Sequence, residues 1–158
     1  MSKMDAVKWT LTRDWGFESM PEAPDWEIFA KSLLTCASGD GVLADSERQW
    51  VVGFASAYGA PEEFVDMLRA WQPDGVVKER LESRETGRKS RRSLLYLAIH
   101  ACSADGEYHP GEQAAVRAVA AQLGIGEDVV GQIEAVVAEE AALKAKRLRL
   151  LYDEGAPF

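Results

Sequence analysis

Apolar residues recur at intervals of three and four along most of the chain, and this spacing predicts amphipathic helices. The first clear helix follows Pro24, and Asp25 is predicted as its N-cap. Its apolar face comprises Trp26, Phe29, Ala30, Leu33 and Leu34. No run alternates for more than a few residues, as a half-buried strand would. The pattern therefore predicts an all-α fold.

Glycine and proline residues divide the rest of the chain into further helices. Gly39 and Gly41 end the first helix, a second stops near Gly59, and a third follows Pro61. The same order of helices and breaks recurs in the second half of the chain, where the helical pattern continues to about Asp153. The last apolar face comprises Leu143, Leu148, Leu150 and Leu151. We expect a compact single domain of about seven helices.

Two parts of the chain match each other when the sequence is shifted by 65 residues. Ser38-Gly39-Asp40-Gly41 then falls on Ser103-Ala104-Asp105-Gly106, and Glu47 falls on Glu112. The register includes Gly, Asp and Glu positions, which a chance hydrophobic pattern would not align. We therefore predict two pseudo-symmetric helical repeats that pack on each other.

The composition narrows the classes of function. With 26 acids against 18 bases, the 158-residue chain has a net charge of −8. Nucleic acid is therefore not expected as a partner, whereas cations and basic proteins are better candidates. No stretch approaches the roughly 18 uninterrupted apolar residues of a membrane span, and no apolar leader opens the chain. We expect a cytoplasmic protein without direct membrane insertion, and the oligomeric state stays open.

Both repeats contain the motif Asp-Gly-x5-Glu. Its acidic residues are Asp40, Glu47, Asp105 and Glu112. In an EF-hand calcium loop, an acid, Gly and Glu occupy the fifth, sixth and twelfth positions. The first ligand position would here be Cys36 or Ala101, so an independent calcium loop is not expected. Cys36 and Cys102 lack a zinc-binding spacing and are predicted as buried thiols.

The motif admits two interpretations. In the first, Asp-Gly forms a turn and Glu stabilises the next helix, although Ala44 and His109 stand where a capping box needs Ser or Thr. In the second, the two loops face each other across a pseudo-twofold axis. Their carboxylates would then repel one another unless a divalent cation binds. Oxygen ligands suit calcium, magnesium or manganese, and His109 leaves zinc open.

The duplicated motif within a helical chain resembles the tellurite-resistance TerB family. The residues that carry the resemblance run from Ala37 through Glu47 and from Ser103 through Glu112. The resemblance covers roughly residues 25 to 152, and it implies a bacterial, usually cytosolic, all-α domain with an acidic metal-binding surface. It also implies a part in stress-response assemblies. The family's metal ligands carry over to Asp40, Glu47, Asp105 and Glu112.

On this basis we divide the chain into an N-terminal extension, residues 1–24, and a TerB-like helical domain, residues 25–158. The repeats lie at about 25–72 and 90–137. The extension is rich in aromatic residues and prolines, and we expect it to pack on the core without forming a helix.

The function expected from these observations is a non-enzymatic divalent-metal-binding and protein-interaction module of a stress response, with other stress-response proteins as partners. One alternative is a metal-independent docking domain of co-chaperone type, and another is a small carboxylate-based metal-dependent hydrolase. His100 is predicted as a core or boundary residue, and His109 as a helix cap. The basic connector 78–92 is either a patch for an acidic partner or a solvated helix face.

Overall fold

Two helices, α2 (Ala23–Ala37) and α7 (Arg91–Cys102), pack against each other at the centre of the fold. The structure is a computed structural model, and it describes residues 2–39 and 41–158. Both helices bury most of their side chains, which is typical of a helix enclosed on several sides. The fully buried residues contributed by this pair include Leu33, Leu34, Leu94, Leu95 and Ile99. Burying a side chain of this size contributes about 1.5–3 kcal/mol, so this pair supplies much of the core.

The other helices surround this pair. They are α1 (Lys3–Trp15), α3 (Asp45–Ala57), α4 (Glu62–Ala70), α5 (Lys78–Glu82), α6 (Glu85–Lys89), α8 (Pro110–Gln122) and α9 (Glu127–Leu151), with a 3-10 turn over Ser103–Asp105. α3 packs on α2, α4 and α7, whereas α8 contacts α2, α7 and α9. Within the described residues there is no strand, so the all-α prediction is confirmed. No described helix combines the length and apolar character needed to span a membrane.

The described part of the chain contains nine α-helices, which is more than the seven expected. Two helices, α5 and α6, have five residues each and lie in the basic connector. Helices this short give no clear periodicity in a sequence, because they span little more than one turn.

The expectation that the N-terminal extension lacks a helix was wrong. Ser2 and Asp5 form a complete capping box at the start of α1, and Val7 and Leu11 bury one face of the helix. The helix ends at Gly16, which adopts a left-handed conformation with φ 70°. The prolines of the extension lie beyond this point, so they do not interrupt the helix.

The sequence predicted Asp25 as the N-cap of α2, but the N-cap is Glu22. Asp25 occupies the third position of the helix, where its carboxylate accepts the backbone N–H of the N-cap residue Glu22 at 3.0 Å. The same carboxylate accepts hydrogen bonds from Arg84 at 2.9 Å and Thr86 at 2.6 Å. Asp25 therefore links the start of α2 to the basic connector.

Several bases of the connector bind groups of this same chain. Besides Arg84, Arg88 donates to the Glu82 carbonyl at 2.7 Å, and Arg91 donates to the Leu123 carbonyl at 3.2 Å. These hydrogen bonds from the arginine side chains stabilise the fold. These contacts leave fewer bases available to an acidic partner, and the two interpretations of the connector, a patch for such a partner or a solvated helix face, stay predictions.

Candidate metal centre

The glutamates of the two motifs occupy equivalent places at the starts of α3 and α8. Glu47 and Glu112 are each the third residue of a 13-residue helix. The backbone N–H of Ala44 donates to Oε2 of Glu47 at 2.7 Å, and the backbone N–H of His109 donates to Oε2 of Glu112 at 2.7 Å. Each glutamate therefore forms the acidic half of a capping box. The helix N-termini favour these negative charges by roughly 0.3–1 kcal/mol each.

The two glutamates lie together, and Cys102 lies with them. One donor atom of each of Glu47, Cys102 and Glu112 lies within 4.8 Å of the donor atoms of the other two. The residues are buried, with 4%, 2% and 7% of their surfaces exposed. Cys102 is the last residue of α7, and both α3 and α8 pack against that helix. The packing of three helices therefore produces a buried Glu/Cys/Glu cluster that could hold a metal ion.

The other two predicted ligands are placed differently. Asp40 lies outside the described residues. Asp105 is about half exposed, and its carboxylate accepts the backbone N–H of Glu107 at 2.9 Å and contacts Nε2 of His109 at 3.3 Å. Its carboxylate is thus engaged within its own loop, outside the Glu/Cys/Glu cluster. The ligand role of both residues stays a prediction.

The sequence predicted that His109 caps α8, but its side chain does not do so. His109 occupies the N-cap position, but the structure gives no cap hydrogen bond from its ring. The ring instead contacts Asp105 and, through Nδ1, Glu107 at 3.4 Å. The hydrogen bond to Asp105 raises the pKa of His109 above its ordinary value, because a carboxylate favours the protonated ring.

Polar contacts also fix the segment next to the cluster. The Tyr108 hydroxyl donates to Glu134 at 3.2 Å, and Arg117 binds the same carboxylate through two nitrogens at 2.9 and 2.7 Å. Burial, followed by the charge of Glu134, raises the pKa of Tyr108, so the phenol stays protonated and acts as a donor. This network ties the second loop to α8 and α9.

His100 lies near the end of α7 and is mostly buried. Its ring stacks on Trp50 with centroids 5.9 Å apart and contacts the Glu140 carboxylate at 3.3 Å. Tyr96 donates to the same carboxylate at 2.7 Å. These contacts fit the predicted boundary residue, held by aromatic packing and by α9.

The comparison with solved structures places the chain in a family. It superposes on a crystal structure of a tellurite resistance protein from Nostoc punctiforme with a TM-score of 0.94 and 36% sequence identity, over 100% of both chains. The alignment includes the N-terminal extension, which the resemblance by motif did not reach. No family model and no curated protein matches the chain. Because the identity extends over the whole length and the duplicated loops agree with the TerB pattern, the chain belongs to the TerB-like family of tellurite resistance proteins.

Proposed function

We propose that this protein is a non-enzymatic module that binds one divalent cation between its two motif helices. The observation that carries the proposal is the buried cluster of Glu47, Cys102 and Glu112, whose donor atoms lie within 4.8 Å of one another. Two oxygen donors separated by that distance can both reach an ion placed midway, at about 2.4 Å from each, which is within the range of protein cation sites. The residues present therefore fit a metal ion.

Electrostatics favours an ion at this position. Two charged carboxylate oxygens at the upper limit of this separation, 4.8 Å, repel by about 3.5 kcal/mol at an effective dielectric constant of 20. Each of the two capping bonds to a charged carboxylate contributes about 1.5–3 kcal/mol, so together they are comparable in size with this repulsion. A divalent cation would replace the repulsion by attraction to both carboxylates.

The donor set favours zinc among the candidate cations. Thiolate ligands select zinc, whereas calcium, magnesium and manganese prefer sites of oxygen atoms alone. Cys102 is the thiol within the cluster, so it distinguishes this site from the oxygen-only site that the motif predicted. Asp40 and Asp105 remain candidate further ligands, and Asp105 would have to release His109 to join the site.

We interpret the cluster as the meeting point of two duplicated repeats. The segments 65 residues apart share helix length at α3 and α8, the capping bond of the glutamate, and a left-handed glycine before the helix, with φ 98° at Gly41 and 101° at Gly106. These equivalences support a pseudo-twofold relation between the repeats. Under such a relation, equivalent residues near the axis, such as the two glutamates, lie close to each other.

The proposed role is structural and regulatory, and it involves no catalysis. All three donors are more than nine-tenths buried, and enclosed ligand sets are typical of structural metal sites, whereas catalytic sites keep an open position. The neighbour's description as a tellurite resistance protein supports a role in a stress response. We propose that the protein acts in the cytoplasm and docks to other stress-response proteins in a metal-dependent manner.

Calorimetric titration of metal-free protein with zinc, manganese, magnesium and calcium tests the proposal. We expect one zinc ion per chain, binding more tightly than the other three cations. Glu47→Gln and Glu112→Gln keep an acceptor for the capping bond and should abolish tight binding, whereas Cys102→Ser should reduce the preference for zinc. The control Glu107→Gln removes a largely exposed charge of the same loop and should bind normally. Absence of binding by the unchanged protein at low salt would reject the proposal.

A further inference from the structure

The last helix, α9, has opposite charges in its two halves. Residues 127–140 contain five acids and no base, whereas residues 141–151 contain four bases and no acid. The basic half is exposed throughout, so its charges are not offset by packing on the body of the domain. The predicted apolar face of Leu143, Leu148, Leu150 and Leu151 is therefore exposed in the described structure, and not packed inside.

A row of apolar side chains continues from one half of α9 to the other. Val129, Val136, Leu143 and Leu150 recur every seven residues, and residues with this spacing lie along one side of a helix. Val136, Leu143 and Leu150 are 45%, 64% and 77% exposed. An exposed apolar row of this kind is typical of a contact surface.

A groove flanks the acidic half of the same helix. Its volume is about 760 Å³, and Val129, Val136 and Glu140 form part of its α9 wall. The opposite wall is built from α1, α3 and α7, including the side chains of Asp14, Trp15, Tyr58 and Tyr96. The groove thus offers aromatic surface and two carboxylates, together with one base, Arg92, beside the apolar row.

We propose that α9 pairs in an antiparallel orientation with α9 of a second copy of this chain. An antiparallel pair sets the basic half of each helix against the acidic half of the other, so the charges are complementary at both ends. A register in which Leu143 meets its own copy brings Val136 opposite Leu150. The same register places Glu139 beside Arg147 of the second copy. A twofold interface makes each contact twice, and the end of each helix lies over the groove of the other chain.

An anionic membrane suits this helix less well than a second copy does. At 3.6 residues per turn, Arg147 lies on the same side as Leu143 and Leu150, so no broad uninterrupted apolar stripe faces away from the bases. The acidic half would also be repelled by anionic lipids. Interleaved leucine and basic residues instead match a partner that supplies apolar and acidic groups together.

Sedimentation equilibrium of the full chain tests the pairing. We expect a mass twice the 17.4 kDa of the chain and weaker association at high salt. Leu143→Glu should give a monomer, whereas Ala145→Glu, on the opposite side of the exposed half, should leave the dimer intact. Circular dichroism should show unchanged helix content in both variants, because neither side chain packs in the core. An unchanged chain that is still monomeric at about 100 µM, so that its dissociation constant lies well above that concentration, overturns the proposal. A Leu143→Glu variant that is still dimeric does so too.

Charge exchange tests the orientation. Glu139→Lys and Arg147→Glu should each weaken self-association by about tenfold, because each places like charges together in both halves of the interface. A mixture of the two variants should form mixed dimers, in which the charges are complementary again. Dimers that do not respond to either variant, or a chain that remains monomeric but binds vesicles of phosphatidylglycerol, would contradict the antiparallel pair.

Discussion

Replacing Glu112 by Gln separates a capping role from a metal-binding role. The amide oxygen of Gln can still accept the backbone N–H of His109, which donates to Oε2 of Glu112 at 2.7 Å. The change removes the repulsion with Glu47, which is about 3.5 kcal/mol at the upper limit of their separation, 4.8 Å. Against this, it loses about 0.3–1 kcal/mol of interaction with the helix N-terminus and about 1 kcal/mol of hydrogen-bond strength. The balance predicts a metal-free variant that is more stable by about 1–2 kcal/mol.

Thermal and urea unfolding of the metal-free proteins measure this effect. Each kcal/mol should raise the melting temperature by about 2–4 °C in a domain of this size. The matched control is Glu127→Gln, because Glu127 also lies in the first turn of a helix and is 85% exposed. That control should lose only a few tenths of a kcal/mol, since it removes the interaction with the helix N-terminus and an exposed ion pair with Arg117 at 4.0 Å.

Added zinc should reverse the order of stability. At a free concentration 100 times the dissociation constant, zinc stabilises the native protein by about 2.7 kcal/mol, and the Glu112→Gln variant should gain far less. If the metal-free variant is instead destabilised as much as the Glu127→Gln control, or more, Glu112 acts as a helix cap and the two glutamates do not repel. The order of stabilities would then refute the reasoning.

Three further predictions concern other parts of the molecule. Burial raises the pKa of the Cys36 thiol to about 12, so a thiol reagent at pH 8 should modify Cys36 only at the rate of unfolding, as peptide mapping would show. Asp105→Asn should lower the pKa of His109, which NMR can measure from the ring-proton signals. The stability that this pair contributes is present below the unfolded pKa of His, and it is lost as pH rises through the raised folded pKa. Gly87→Ala should destabilise the protein by about 2 kcal/mol or more, because a Cβ there would clash with the backbone oxygen of Leu81. Gly53→Ala, in open space within α3, should stabilise it by about 0.5–1 kcal/mol, and urea unfolding compares the two.

The helical periodicity was sufficient to predict the all-α fold, because most helices bury one regular apolar face. It missed α1, since two prolines close behind the helix suggested a broken segment, although they lie after the cap at Gly16. It also grouped Leu143 with the residues of the last apolar face, which is exposed. Periodicity shows that residues share a side of a helix, but it does not show whether another element covers that side.

The candidate site was predictable only as far as the repeat extends. Glu47 and Glu112 are related by the 65-residue shift, and the structure brings them together. Cys102 was missed as a member of the cluster because its counterpart under the same shift is Ala37, so the repeat carries no signal for it. Its place at the end of α7, directly before the second motif, was the one available indication. Contacts near an internal axis depend on packing that a linear comparison cannot show.

Anomalous diffraction at the zinc edge from crystals grown with one equivalent of zinc tests the central claim most directly. We predict a single peak between Glu47, Cys102 and Glu112, about 2.0–2.2 Å from the oxygen ligands and about 2.3 Å from the sulfur. A peak at the exposed ring of His109, or crystals whose buried cluster gives no anomalous signal, would contradict the account.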